Sequence, residues 1–174
     1  MAFYKITRDT PDSEALNSIL QFFTDIGFYA PALKLAASWP GPSYVGHFNE
    51  RNPFDGPYKG RANHLLDTAY MWGNYNPKYS KRNWATGRAM AEDLVSFYNE
   101  KDDLPVFNTE IGKHLVKIYG PSEEDITSKV EPLDSEAAGR NYGIFDLAQE
   151  VGGLDELLNT MYAFLVNHEQ STEI

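Results

Sequence analysis

The chain has 174 residues, 42% hydrophobic and 23% charged, which is the composition of one globular domain rather than of a disordered chain. A formal net charge of -10, a pI near 4.8 and the lack of a Lys/Arg cluster argue against a nucleic-acid or anionic membrane partner. With no cysteine there is no disulfide, no thiolate zinc site and no cysteine nucleophile.

The opening "MAFYKITRDTPDSE" is charged and has no apolar core, so no signal peptide is expected. No apolar run approaches the length of a membrane span, and no N-x-[ST] sequon occurs. A soluble cytoplasmic protein is the resulting expectation. Aromatic residues reach 14%. Most are assigned to core packing, and some are left to line a pocket or an interface.

In chain order, "TPDSEALNSILQFFTDIGFYAPALKLAASW" reads as helix capped by Asp12 or Ser13, with Ala15, Leu16, Ile19, Leu20 and Phe23 at helical spacing. Gly27 or Pro31 is expected to divide it in two. "PSYVGHFNE" reads as a short strand, and "RNPFDGPYKGRAN" as a loop rich in Pro, Gly and Asn. The next helix begins at Asn63 or His64, with Asp67 in its first turn, where a carboxylate suits the exposed amides. "SKRNWATGRAMAEDLVSFYNE" is a long helix with Trp84, Ala91, Val95 and Tyr98 on one face. A strand is expected at 114 to 119, closed by Gly120-Pro121. Residues 121 to 136 carry six acids and one lysine and read as a solvated loop. Two last helices are divided by Gly152-Gly153. In the second, Leu154, Leu157, Leu158, Met161, Phe164 and Leu165 form an apolar stripe. Helical segments outnumber credible strands, and two strands make a poor sheet on their own.

Few residues offer chemistry. "GPSYV" at 41 to 45 is the nearest string to G-x-S-x-G, but Val45 replaces the second glycine, and the string precedes a strand instead of following one. Ser43 is therefore a poor nucleophile candidate. His47, His64, His114 and His168 show no H-x-x-x-H or H-E-x-x-H spacing. His64 and Asp67 alone do not close a metal site. No metal and no cofactor is implied. Among 25 acids no pattern selects a glycosidase-type pair. His64 remains, delivered by a glycine-flanked turn to the start of an amphipathic stretch, as a general base or a structural histidine.

Three segments, "FFTDIGFYAPALKLAASW", "YVGHFNERNPFDGPYKGRANHLLDTAYMWGNYN" and "WATGRAMAEDLVSFYNEKDDLPVF", resemble in order and spacing the C-terminal part of the type-B carboxylesterase/lipase family, its fungal branch above all. "IYGPSEEDI" through "GGLDELL" is similar to the tail of the same branch. The resemblance implies an α/β class: a helix-rich C-terminal part of an α/β-hydrolase fold with two or three remnant strands. It would cover residues 1 to 167, followed by a disordered tail at 168 to 174. It implies that His64 is the general base of a Ser-His-acid triad, with Asp67 supporting the helix start. In this fold the serine and the acid precede the histidine in the chain. The expectation is therefore a chain lacking nucleophile, triad acid and oxyanion hole, and no autonomous hydrolase.

Three functional classes follow. The chain is a remnant without activity of its own. Or it is a split esterase, completed by a partner chain carrying the N-terminal hydrolase half. Or it is a repurposed acid/base enzyme or binder of a biosynthetic pathway, with His64 in a closed, ring-lined cavity. The ligand in view is a small ester or other apolar molecule. Uncovered helix faces, including the stripe from Leu154 to Leu165, would favour a homo-oligomer.

Overall fold

The computed structural model describes residues 4–101, 103–107, 114–135 and 142–169, with residues 164, 165 and 167–169 in backbone only. The chain forms two compact units, Met1–Leu35 with Asn141–Ile174, and Ala36–Arg140.

In the first unit, α1 spans Asp12–Thr24 and continues through a π-helical turn, Asp25–Tyr29, into α2, Ala30–Ser38. The division expected at Gly27 or Pro31 takes the form of this π turn, which contains Gly27 and separates the two α-helices without ending the helical course. A proline inside a regular α-helix clashes with the carbonyl four residues back, and a local π turn is one way to widen the ladder around it. Asp25 lies fully buried in this turn. Tyr4 donates to its Oδ2 at 3.0 Å and Gln21 to its Oδ1 at 2.7 Å. Pro11 holds the N-cap position and no side chain caps the helix, so neither Asp12 nor Ser13 serves as expected.

Two helices, α5 (Ile144–Val151) and α6 (Leu154–Glu169), complete the unit. They part at Gly152 and Gly153, whose φ of 103° and 127° suit glycine alone. Leu157 and Met161 of α6 are 5% and 8% exposed, so the centre of the expected exposed stripe is buried. The side chains of Phe164 and Leu165 of that stripe, and the tail 170–174, lie outside the described residues. The α6 backbone is helical through His168 and Glu169, where the tail was expected to begin.

The second unit is built on a three-stranded sheet of order β1-β2-β3, with β1 at Gly46–Phe48, β2 at Leu115–Tyr119 and β3 at Ser128–Pro132. The β1 and β2 strands run parallel, with His47 opposite Ile118, and β2 and β3 run antiparallel, with Lys117 opposite Val130. The molecule is thus of mixed α/β class. The β3 strand falls inside the segment read as a solvated loop. Its alternation is polar, Val130 is 46% exposed, and Pro132 ends it, so it carries the marks of an edge strand and no apolar signal.

Helix α3 (Leu66–Met71) packs against α4 (Lys81–Tyr98). A capping box starts α4: Ser80 Oγ accepts from the Asn83 backbone, and Asn83 Oδ1 accepts from the Ser80 backbone. The buried residues of α4 are Asn83, Thr86 and Gly87. Its expected apolar face is the outer one, with Trp84, Val95 and Tyr98 exposed by 42%, 56% and 76%. Gly87 explains the inversion. A Cβ there would stand 2.6 Å from the Tyr70 carbonyl oxygen, so only glycine lets α3 and α4 approach this closely. Asp93 of α4 faces β2, taking Lys117 Nζ at 2.8 Å and the Tyr119 hydroxyl at 2.7 Å.

Candidate functional site

His64 sits at the end of the connection from β1 to α3. That connection is an ordered loop. Asn52 donates its N–H to the Arg61 carbonyl and accepts from the Gly60 N–H, while its side chain accepts from the Phe54 N–H. Arg51 binds Glu123 and Glu124 at 2.9 and 2.8 Å, and Lys59 binds Asp55 at 2.6 Å. The loop ends in a turn closed by the Leu66 N–H on the Asn63 carbonyl. Leu65, at the N-cap of α3, has φ 64° and ψ 2°. A leucine in this left-handed region is a strained exception. Its effect is directional: Leu66 turns inward at 6% exposure while His64 and Leu65 remain outside.

His64 lines an open cleft of about 490 Å³. Phe54, Tyr75 and Leu65 supply apolar surface, Asn52 and Asn63 supply amides, and Lys78 supplies a cation. The aromatic wall is backed in depth. Phe54 meets Tyr75 and Tyr79 at centroid distances of 5.6 and 5.5 Å, Tyr79 meets Tyr70 at 4.2 Å, and Tyr70 meets Phe48 of β1 at 5.4 Å. Two of these pairs, Phe54–Tyr75 and Phe48–Tyr70, meet edge to face and the other two are tilted, and rings so packed hold one another in place. Behind them lies a buried polar cluster. Glu50, fully buried just past β1, accepts from Asn83 Nδ2 at 3.1 Å and from Ser122 Oγ and N, both at 2.9 Å. Burial, and after it the charge of Glu50, pushes the Tyr70 phenol far above its ordinary range, with Asn83 pulling the other way. Tyr79 is pushed up to about 12, first by burial and then by Tyr75 and Glu50.

The other candidate residues do not converge on His64. Asp67 is exposed in the first turn of α3 and has no hydrogen bond or ion pair among the described residues. Ser43 donates its hydroxyl to the Ala36 carbonyl at 2.8 Å. His47 is buried in β1 at 4% exposure. His114 donates from Nδ1 to the Phe107 carbonyl at 2.9 Å and stacks on the Phe107 ring. The side chain of His168 lies outside the described residues. Among the described residues no three His, Asp or Glu side chains gather as metal ligands, and no helix is long and apolar enough to cross a membrane.

Sequence reading passed over Glu50, Tyr70, Tyr79, Asn83 and Ser122. The hydrogen bonds that join Glu50, Asn83 and Ser122 span 33 to 72 residues of chain, and none belongs to a recognisable spacing. Comparisons with models of known families, with curated proteins and with solved structures find no match to this chain.

Proposed function

We propose that the chain is a carboxylesterase-like protein without hydrolase activity of its own, and that His64 is a triad base whose serine and acid come from outside these 174 residues. The observation that carries the reading is the state of His64. It is exposed on an ordered loop, at the mouth of an open cleft, and its ring has no hydrogen bond among the described residues. A triad histidine needs a hydroxyl on one ring nitrogen and a carboxylate on the other. Here neither position is taken among the described residues, and the exposed ring stands beside Leu65, which is held in a costly conformation.

The openness counts against an acid/base enzyme working in a closed, ring-lined cavity, because that chemistry relies on excluding water. It favours a site completed by another polypeptide segment, and the exposed outer face of α4 offers apolar surface to such a segment or to a second copy. Co-expression with a hydrolase half that contains G-x-S-x-G tests the reading. Hydrolysis of p-nitrophenyl butyrate should appear only with both chains, and His64→Ala should abolish it. Hydrolysis that survives His64→Ala, or no hydrolysis from a stable complex of the two, would end it.

A further inference from the structure

The His64 cleft has a charge character that the whole chain does not. The protein carries a net charge of -10, yet residues 51 to 82 hold six basic residues, Arg51, Lys59, Arg61, Lys78, Lys81 and Arg82, against two acids, Asp55 and Asp67. Several of these cations are engaged. Arg51 is bound to Glu123 and Glu124, Lys59 to Asp55, and Arg82 to Asp125. Lys78 differs. Among the described residues its ammonium meets no carboxylate, and it lies over the Tyr75 ring, 5.8 Å from the centroid. That contact sets the charge over the cleft wall. Among the described residues no Asp or Glu lines the cleft.

We propose that this cleft binds a small organic monoanion with an apolar body, an aryl or branched alkyl carboxylate, its charge on Lys78 and its body against Phe54, Tyr75 and Leu65. The lining decides the class. A cleft of about 490 Å³ with two rings and exposed leucine rewards burial of a compact apolar group. A single ammonium with no acid beside it rewards one negative charge. A phosphate calls for a fork of guanidinium donors or a nest of backbone amides, and among the described residues no arginine or glycine lines this cleft. A polyanion would meet the negative charge of the rest of the chain. The amides of Asn52 and Asn63 offer donors to the second carboxylate oxygen. The inference shares its site with the proposed function and names the substrate or product class of that site. Binding itself needs no serine.

The test uses the full chain labelled with 13C-histidine, titrated at low salt with benzoate and, separately, with benzyl alcohol, a neutral molecule of the same shape. His64→Ala assigns its ring signal among the four histidines. Benzoate should shift the His64 signal with a Kd on the order of 1 mM, a usual value for a fragment of this size. Benzyl alcohol should bind about tenfold more weakly, since it lacks the charge-assisted contact. Lys78→Gln should remove that difference, and Lys78→Arg should keep most of it. Lys78 is exposed, so neither change threatens the fold. Equal affinity for the two probes, an unchanged benzoate Kd in Lys78→Gln, or shifts confined to other histidines would each overturn the proposal. Should co-expression yield no esterase while benzoate still depends on Lys78, the hydrolase reading falls and the anion site stands.

Discussion

Ser122 gives Glu50 two hydrogen bonds, one from its hydroxyl to Oε1 and one from its backbone N–H to Oε2, both 2.9 Å long. The pair ties the end of β1 to the turn after β2, and Asn83 brings α4 to the same carboxylate. A carboxylate with no exposed surface depends on such donors, because losing one leaves charge without solvent or partner. Glu50→Ala strands the donors of Asn83 and Ser122 and should cost about 3 kcal/mol in urea unfolding. Ser122→Ala, which removes one charged hydrogen bond, should cost about 1.5 kcal/mol. Indifference of the urea midpoint to Glu50→Ala would mean that the cluster does not hold the unit together.

Gly87→Ala sets two effects against each other. In an exposed helix the change gains about 1 kcal/mol from propensity. Here the new methyl meets the Tyr70 carbonyl oxygen at 2.6 Å, a backbone atom that cannot swing away. The helices must separate, and the net loss should be about 2 kcal/mol. A thermal midpoint equal to or above the parent's would contradict the close α3–α4 contact.

Leu65→Gly should do the opposite. Leucine in the left-handed region costs about 1–2 kcal/mol, and glycine gives back about 0.5–1 kcal/mol through its freer unfolded chain. The side chain is 60% exposed, so little burial is lost. Stability should hold or rise slightly, whereas Leu65→Val, with a β-branched residue at the same φ, should lower it. A clear loss in Leu65→Gly would show that the turn is held by leucine packing instead of tolerated despite it.

High pH should weaken the fold through its buried phenols. Tyr119 is pushed up by burial first, then by its hydrogen bond to Asp93 and by the charge of Asp93. Tyr79 is raised to about 12. An unfolded tyrosine ionises near about 10, so above that pH the unfolded chain releases protons that the folded chain keeps. The stabilisation is complete below about 10 and is lost as pH climbs toward each folded value. Urea midpoints should fall in that window, and Tyr119→Phe should flatten the fall. Phenolate absorbance would serve as the check: a full tyrosine count titrating near 10 in the folded protein would contradict the burial.

Local pattern made part of this structure legible in the sequence. Periodic leucines marked α6, Gly152-Gly153 marked its start, and the apolar run before Gly120-Pro121 marked β2. Other features depend on partners far along the chain. The β3 strand has polar residues on both faces and a single exposed valine, and exists because β2 offers it an edge. The orientation of α4 follows Gly87 and the reach of Asn83 toward Glu50, which outweigh its own apolar stripe. The π turn interrupts the α-helical ladder at Gly27, where the sequence places a division, yet the helical course runs on into α2. At the site, the sequence placed His64 beside a helix start, although α3 begins at Leu66, after a turn from Asn63 that contains no glycine. Lys78, fourteen residues on, was not legible, because its proposed role comes from the Tyr75 ring beneath it and from the lack, among the described residues, of an acid lining the cleft.

The central claim is that His64 is a base without a nucleophile inside this sequence. Fluorophosphonate treatment of the purified chain, read by intact mass and peptide mapping, tests it most directly. No serine adduct should form, Ser43 included, since its hydroxyl is committed to the Ala36 carbonyl. A stoichiometric adduct on any serine that disappears in His64→Ala would show a complete catalytic pair within these residues and contradict the account.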